Sequence, residues 1–210
     1  MPRQPSFLPD RRMLLAGGLM LPGVAMAARL APPDIQVNEA AIRWPVGAGR
    51  ELHGFMAIPA RARGRQPAIM VIGDPDTPDA TSRALVRSVA QAGFVACTPN
   101  AASFQSTTVA DDMRATAQWL ANSRYGTGRV GGIGVGKGAG TAALLAGDGT
   151  LAAAVSLGAG TPVGGGSILT VQADGAGWSL TAGPAAVPIP ASDWPQAWDR
   201  ITGYLREHLT

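Results

Sequence analysis

The sequence predicts an α/β protein with a mostly parallel central sheet flanked by helices. Three observations point there. Pro67–Ile72 is a continuous apolar run, as expected of a strand buried on both faces. Short apolar runs alternate with helical periods along the chain, which is the pattern of βαβ units with right-handed crossovers. The stretch Arg129-Val130-Gly131-Gly132-Ile133-Gly134-Val135-Gly136-Lys137-Gly138-Ala139-Gly140 runs from a strand through a glycine turn into the helix-like Thr141–Ala146. The 210 residues are 46% hydrophobic and 15% charged, a globular composition with enough chain for one sizeable core.

Residues 1–27 read as an export signal and 28–210 as a single domain. Asp10-Arg11-Arg12-Met13-Leu14-Leu15 opens the segment, a mild apolar run follows to Val24, and Ala25-Met26-Ala27 gives the small-x-small pattern before a cut. Paired arginines before a weakly hydrophobic, glycine-containing run resemble a twin-arginine signal, a route for proteins already folded. Met13–Ala28 is short for a span of about 20 residues, and no later run is long enough, so no membrane span is expected once the signal is removed. The expected location is periplasmic or secreted. Arg3, Arg11 and Arg12 carry most of the chain's net charge of +3; residues 28–210 hold 14 basic and 13 acidic side chains. No basic stripe is interleaved with aromatics, so nucleic acid is not an expected partner. Cys97 is the only cysteine, which excludes an internal disulfide.

The elements follow in order. Ala41–Val46 and Leu52–Ile58 predict a hairpin around Gly47–Arg50. After the Pro67–Ile72 strand, Gly73–Pro78 is a loop. Thr81–Ala92 has helical spacing with Leu85, Val89 and Ala92 on one face, closed by Gly93. Phe94–Cys97 is a short strand and Asn100–Thr108 a polar loop. Val109–Ser123 predicts a helix with Met113, Ala117 and Leu120 inward. Val130–Val135 and Ala139–Ala146 flank the glycine turn; Leu151–Leu157 and Ser167–Ala173 are further strands. Ser192 or Asp193 caps a last helix that tolerates Pro195 in its first turn and faces Trp198, Ile201 and Leu205 to the core.

The glycine turn fits the frame of a nucleophile elbow, G-x-Nuc-x-G, a sharp turn that holds a Ser or Cys above the sheet. Here Gly134, Gly136 and Gly138 fill the frame, and the nucleophile slot is Gly136. Two other motifs come close. Gly131-x-x-x-x-Gly136-Lys137 resembles a phosphate-binding loop, but Gly138 stands where Ser or Thr should hold a metal ion. Gly134-x-Gly136-x-x-Ala139 fits a dinucleotide fingerprint, but Ser156-Leu157-Gly158-Ala159 offers no carboxylate at the next strand end. A tight turn with positive φ and close helix–strand packing account for these glycines. No His, Cys and carboxylate cluster has metal-ligand spacing, and the sequence implies no cofactor and no metal. Lys137, the only lysine, is expected to point to solvent, and Cys97 to be a buried small hydrophobe. Ser103 and Ser156 could sit near the sheet's carboxyl edge, without a His partner. Trp178, Trp194 and Trp198 are expected in the core or over a sheet edge.

Taken in order, Gly54-Phe55-Met56-Ala57-Ile58-Pro59, Pro67–Ile72, Leu85–Asn100, Asp111–Leu120, Val130–Gly138 and Trp194–Arg200 resemble segments of the dienelactone hydrolase family, within the α/β-hydrolase fold. The resemblance covers roughly residues 50–160 and the C-terminus. It implies a Cys or Ser nucleophile, an Asp and a His. The nucleophile slot is vacant at Gly136. The acid position falls on Ala176, or on Asp174 if the alignment slips by two residues. No His lies between Trp178 and Trp194; His53 and His208 match neither place. The resemblance also implies an oxyanion hole of backbone N–H groups from Lys137 and from Gly73 and Asp74. Asp174–Ser192 is too brief for the family's helix plus strand, so a reduced C-terminal part, with some of the sheet edge and rim missing, is expected. The implied protein is a dienelactone hydrolase-like pseudoenzyme that binds a small-molecule ligand or an envelope protein; the alternative is an ester or lactone hydrolase with rearranged catalytic residues.

Overall fold

The computed structural model describes residues 36–47, 49–74, 79–104, 109–158, 166–173, 177–182 and 185–210. The segment read from the sequence as an export signal, with Arg11, Arg12, Ala25 and Ala27, lies outside them. The elements are β1 (Val37–Gly47), β2 (Arg50–Pro59), β3 (Gln66–Ile72), α1 (Asp79–Gln91), β4 (Val95–Pro99), α2 (Val109–Ala121), β5 (Gly126–Val135), α3 (Gly138–Gly147), β6 (Ala153–Leu157), β7 (Ile168–Ala173), β8 (Gly177–Ala182), β9 (Ala185–Pro190) and α4 (Trp194–Leu209). A short 3₁₀ turn at Ala101–Ser103 follows β4.

All nine strands form one sheet in the order β1-β2-β4-β3-β5-β6-β7-β8-β9. The five contiguous strands β4-β3-β5-β6-β7 are parallel, and two antiparallel strands flank them on each side. The apolar run of β3 explains its central place: Ala68 through Ile72 are buried, and their side chains alternate between two separate cores. Ile69 and Val71 join Val86 and Val89 of α1 and Ile201 and Leu205 of α4. Met70 and Ile72 join Met113 and Leu120 of α2 and Leu145 of α3 on the other face. The helical periods read from the sequence therefore point at the sheet as expected.

The β1–β2 hairpin is anchored to α2 by one aromatic residue. Trp44 is 1% exposed, donates its indole N–H to Thr116 Oγ1 at 3.0 Å and stacks on Trp119 at 5.1 Å. Gly54 makes the room, since a β-carbon there would fall 2.7 Å from the Trp44 ring. Arg50 pairs with the buried Asp112 beside it.

The expectation of a missing sheet edge is corrected. The chain after β7 contains two more strands: β8 pairs antiparallel with β7, from Thr170 with Thr181 to Ala173 with Trp178, and β9 pairs antiparallel with β8, from Gly177 with Pro190 to Ala182 with Ala185. What is reduced is the crossover: the connection from β7 holds no helix before α4 among the described residues. An antiparallel neighbour needs only a short turn, whereas a parallel one needs a crossover of a dozen or more residues. The short Gly-, Ala- and Pro-rich segment accommodates the first and not the second. Pro188 and Pro190 lie in the outermost strand, where a missing N–H costs no ladder bond inside the sheet. Asp193 caps α4 by accepting the Gln196 N–H at 3.3 Å, as the sequence predicts.

Cys97 is fully buried in β4, and burial pushes its thiol up to about 12 from 9.0. A thiol held protonated by folding stabilises the fold fully below pH 9 and progressively less as pH climbs toward 12, because the unfolded chain ionises first. Native protein should therefore leave Cys97 unreacted with a disulfide reagent at pH 8, with one thiol appearing on unfolding in guanidinium. Reaction in the folded state at a rate near that of a free thiol would contradict its burial.

Candidate functional site

The site forms where β3 and β5 end side by side. These strands run parallel with Ile72 opposite Gly134, so the loop after β3 and the turn after β5 meet above the carboxyl edge of the sheet. The turn is sharp. Gly136 has φ +55°, in the left-handed region that a side chain disfavours. Its N–H donates to Leu157 O at 3.1 Å, and its carbonyl accepts from Ala139 N–H at 3.1 Å, which starts α3. The flanking glycines answer to close approach. A β-carbon on Gly134 would lie 2.5 Å from Ala139 Cα, and one on Gly138 would lie 2.2 Å from Ile72 O. Gly134, Gly136 and Gly138 thus form a sharp strand-to-helix turn with Gly136 at its bend.

The slot itself holds another residue's side chain. A β-carbon built on Gly136 would fall 2.3 Å from Asp74 Oδ2 and 3.1 Å from Asp74 Cβ. The Asp74 carboxylate, reaching across from the loop after β3, fills the place where an elbow nucleophile would start. The same Oδ2 accepts the backbone N–H of Lys137 at 3.2 Å. Lys137 N–H is one of the donors that the sequence assigns to an oxyanion hole, and here it serves an internal carboxylate. Gly73, the other backbone position assigned there with Asp74, packs under Ser82, whose Oγ lies 2.3 Å from where a Gly73 β-carbon would be.

Beside this contact lies a cavity of about 400 Å³. Ile72, Pro99, Phe104 and Val109 supply apolar wall; Ser82 and Thr141 supply hydroxyls; Asp74 and Lys137 supply the charged groups among the described lining residues. Asp74 is half-buried and Lys137 exposed, as expected for the lysine.

Neither imidazole reaches this place. His53 is exposed on β2, and what it offers the 3₁₀ turn is its carbonyl, which accepts from Asn100 N–H at 2.8 Å and Ser103 Oγ at 3.4 Å. His208 sits in the last turn of α4. Its Nδ1 lies 2.9 Å from Tyr204 O and its ring 4.3 Å from the Tyr204 ring. Burial pushes the Tyr204 phenol up to about 12, against a smaller opposing effect of a hydrogen bond with Ser167. The neighbouring Arg206 bonds Ala92 O, before the amino end of β4, so this end of α4 lies at the sheet edge opposite the elbow. Ser156 is buried in β6 opposite Gly134, with no hydrogen-bond partner for its Oγ. Trp178 and Trp194 meet edge-on at 4.9 Å, and Trp194 and Trp198 are buried, as core or edge cover. Asp174 and Ala176, the alternative acid positions, lie outside the described residues. Among the described residues no three His, Cys, Asp or Glu side chains stand together as a metal site, and no helix is long and apolar enough to cross a membrane.

The reach of the Asp74 side chain escaped the sequence reading, which used only its backbone. The one local signal was indirect: the vacancy at Gly136 leaves a space that some neighbour must fill. Chemically, the arrangement offers an acceptor where an attacking atom would be and occupies a donor that would steady a tetrahedral oxyanion.

The close approaches make a paired expectation. Gly138→Ala should destabilise the protein by more than about 3 kcal/mol, because the intruded atoms are backbone and cannot swing away. Gly140→Ala, two residues on in α3, where nothing lies within 4 Å, should stabilise it by about 0.5 kcal/mol. Thermal and denaturant melts of the two variants check both signs.

No protein-family model matches this sequence, and no curated protein matches it. Solved structures do resemble its fold. A protein described as a dienelactone hydrolase from Klebsiella pneumoniae subsp. pneumoniae MGH 78578 aligns with a TM-score of 0.51 at 20% identity, over 62% of this chain and 65% of that one. A dienelactone hydrolase-like promiscuous phosphotriesterase from metagenomic libraries aligns with a TM-score of 0.59 at 16% identity, over 83% and 99%. The thermostable carboxylesterase EstE1, cloned from a metagenomic library, aligns with a TM-score of 0.50 at 18% identity, over 64% and 50%. The match therefore spans about two thirds or less of the Klebsiella protein and the carboxylesterase. The strand order and these likenesses agree on an α/β-hydrolase-like fold.

Proposed function

We propose that this protein is an exported, non-hydrolytic relative of the dienelactone hydrolase-like proteins, which binds a small molecule in the cavity beside its elbow. The observation that carries the reading is the Asp74 carboxylate in the nucleophile slot, bonded to Lys137 N–H. Acyl transfer needs an activated oxygen or sulfur, a base within hydrogen-bond reach and a donor for the developing oxyanion. At this elbow the first has no side chain to carry it. The second has no imidazole among the described lining residues. The Lys137 donor is engaged. The apolar walls and few polar groups that remain suit a binding pocket. A second reading rests on the same contact: Asp74 as a rearranged base or nucleophile in an ester or lactone hydrolase.

Purified protein should turn over p-nitrophenyl acetate no faster than a denatured control. Turnover abolished by Asp74→Asn would establish the second reading instead. Gly136→Ser should add no activity. Its β-carbon would collide with the Asp74 carboxylate, its backbone would be strained at φ +55°, and no imidazole lines the cavity among the described residues. The double variant Gly136→Ser/Asp74→Ala removes the collision and should still be inactive; a gain of a hundredfold or more, the usual worth of general-base assistance at about 10²–10⁴, would reveal a base close by. Export is tested separately. A reporter fused after residue 27 should reach the periplasm, and Arg11→Lys with Arg12→Lys together should hold it in the cytoplasm; export unchanged by that pair would remove the twin-arginine route.

A further inference from the structure

The two edges of the sheet differ, and we propose that the protein forms a two-fold dimer by pairing β1 with β1 of a second copy. β1 is an edge strand 11 residues long, about twice the common length. Its ladder with β2 fixes which backbone groups are used. Ala60 N–H donates to Gln36 O at 3.0 Å, and opposite residues in an antiparallel ladder alternate between bonded and non-bonded pairs. Asn38, Ala40, Ile42 and Trp44 therefore turn their N–H and C=O groups to β2, and Val37, Glu39, Ala41 and Arg43 turn theirs outward. Pro45 and Pro59, which have no N–H, both fall at non-bonded positions of this ladder, as the alternation requires. No strand lies beyond β1 among the described residues, and its register shifts only between Pro45 and Gly47. At the other edge Pro188 and Pro190 interrupt β9, a common protection against edge-to-edge association. From Val37 to Trp44, β1 has no proline.

The charges along the open edge select the occupant. In a two-fold antiparallel pair centred on Ala41, Glu39 stands opposite Arg43 of the second copy, and Arg43 opposite its Glu39. Centring the pair on Glu39 or on Arg43 would set like charges face to face. Opposite charges directly across a ladder stabilise it and like charges destabilise it. Arg87 already holds Glu39 through both carboxylate oxygens, Nε to Oε1 at 2.5 Å and Nη2 to Oε2 at 3.0 Å. A carboxylate accepts about four hydrogen bonds, so Glu39 is ordered and still able to take a second guanidinium. Arg43 is exposed and has no ion pair among the described residues. On the other face of β1 the same register sets the half-buried Ile42 against Ala40 of the second copy. One patch thus serves both chains, as an isologous interface must.

Sedimentation equilibrium of the purified protein over a concentration series tests this. It should show a reversible monomer–dimer equilibrium in the micromolar range, as suits an interface of less than standard size. Ala41→Pro removes the N–H at the two-fold and no bond to β2, so it should give a folded monomer, with folding checked by circular dichroism and a thermal melt. Glu39→Arg and Arg43→Glu should each dimerise about tenfold more weakly than the parent. An equal mixture of those two variants should recover the association, because only the mixed pair sets opposite charges face to face at both positions. If Ala41→Pro does not fold, the mixture decides. The proposal is overturned if the parent stays monomeric to about 500 µM, far above a micromolar dissociation constant. It is overturned equally if folded Ala41→Pro dimerises as well as the parent, or if the mixture associates no better than its components. Slow amide exchange at Glu39 and Arg43 in a monomer would also overturn it, by showing that another segment of the same chain covers the edge.

Discussion

The ends of β3 and β5 and the start of α3 approach so closely that only hydrogen fits between them. A β-carbon on Gly138 would sit 2.2 Å from Ile72 O, and one on Gly134 would sit 2.5 Å from Ala139 Cα. This contact draws the loop after β3 over the elbow and brings the Asp74 carboxylate to the Lys137 N–H. It also places the mouth of the cavity, because Ile72, Gly73, Asp74, Lys137 and Gly138 are both the contact and part of the cavity's lining. Dense packing makes such a contact stiff: the backbone atoms involved belong to a central strand and a helix start, and neither can retreat without disturbing the core.

The scaffold of a hydrolase elbow and its chemistry are separable. The turn, its positive φ and its tight helix entry depend on backbone and glycine alone, so they persist when the attacking atom is absent. The donor at Lys137 persists for the same reason. A fold can therefore be kept while its site acquires another use, and activity has to be argued from the site. Here the side chain that enters the vacancy has the charge that a hydrolytic oxyanion hole is built to attract, and it enters from the loop that ordinarily contributes donors.

The far side of the sheet tells a related story. The β8–β9 meander extends the sheet to nine strands among the described residues with a short stretch of chain. The Trp178–Trp194 contact then ties β8 to the first residue of α4, and α4 packs Ile201 and Leu205 on the central strands. The last helix is thus seated by packing.

Periodicity and local turn chemistry made most elements legible. The Pro67–Ile72 run, the stripes of Leu85 and Val89 and of Met113 and Leu120, and the Asp193 cap each express a rule that acts within a few residues. The glycine frame was legible as well, since tight turns restrict residue type locally. The β8 and β9 strands were not, because Gly, Ala and Pro carry weak strand preference and those strands form only by pairing with β7 and with each other. Asp74 was not legible for a stronger reason. It is 62 residues from Gly136 and 63 from Lys137 in the chain, and no sequence pattern relates a loop after one strand to a turn after another. By itself the sequence determined that a glycine, Gly136, stands at the bend of the turn; only the tertiary meeting of β3 and β5 decided that the Asp74 side chain lies against it, because parallel neighbours bring distant strand ends together at one edge of the sheet.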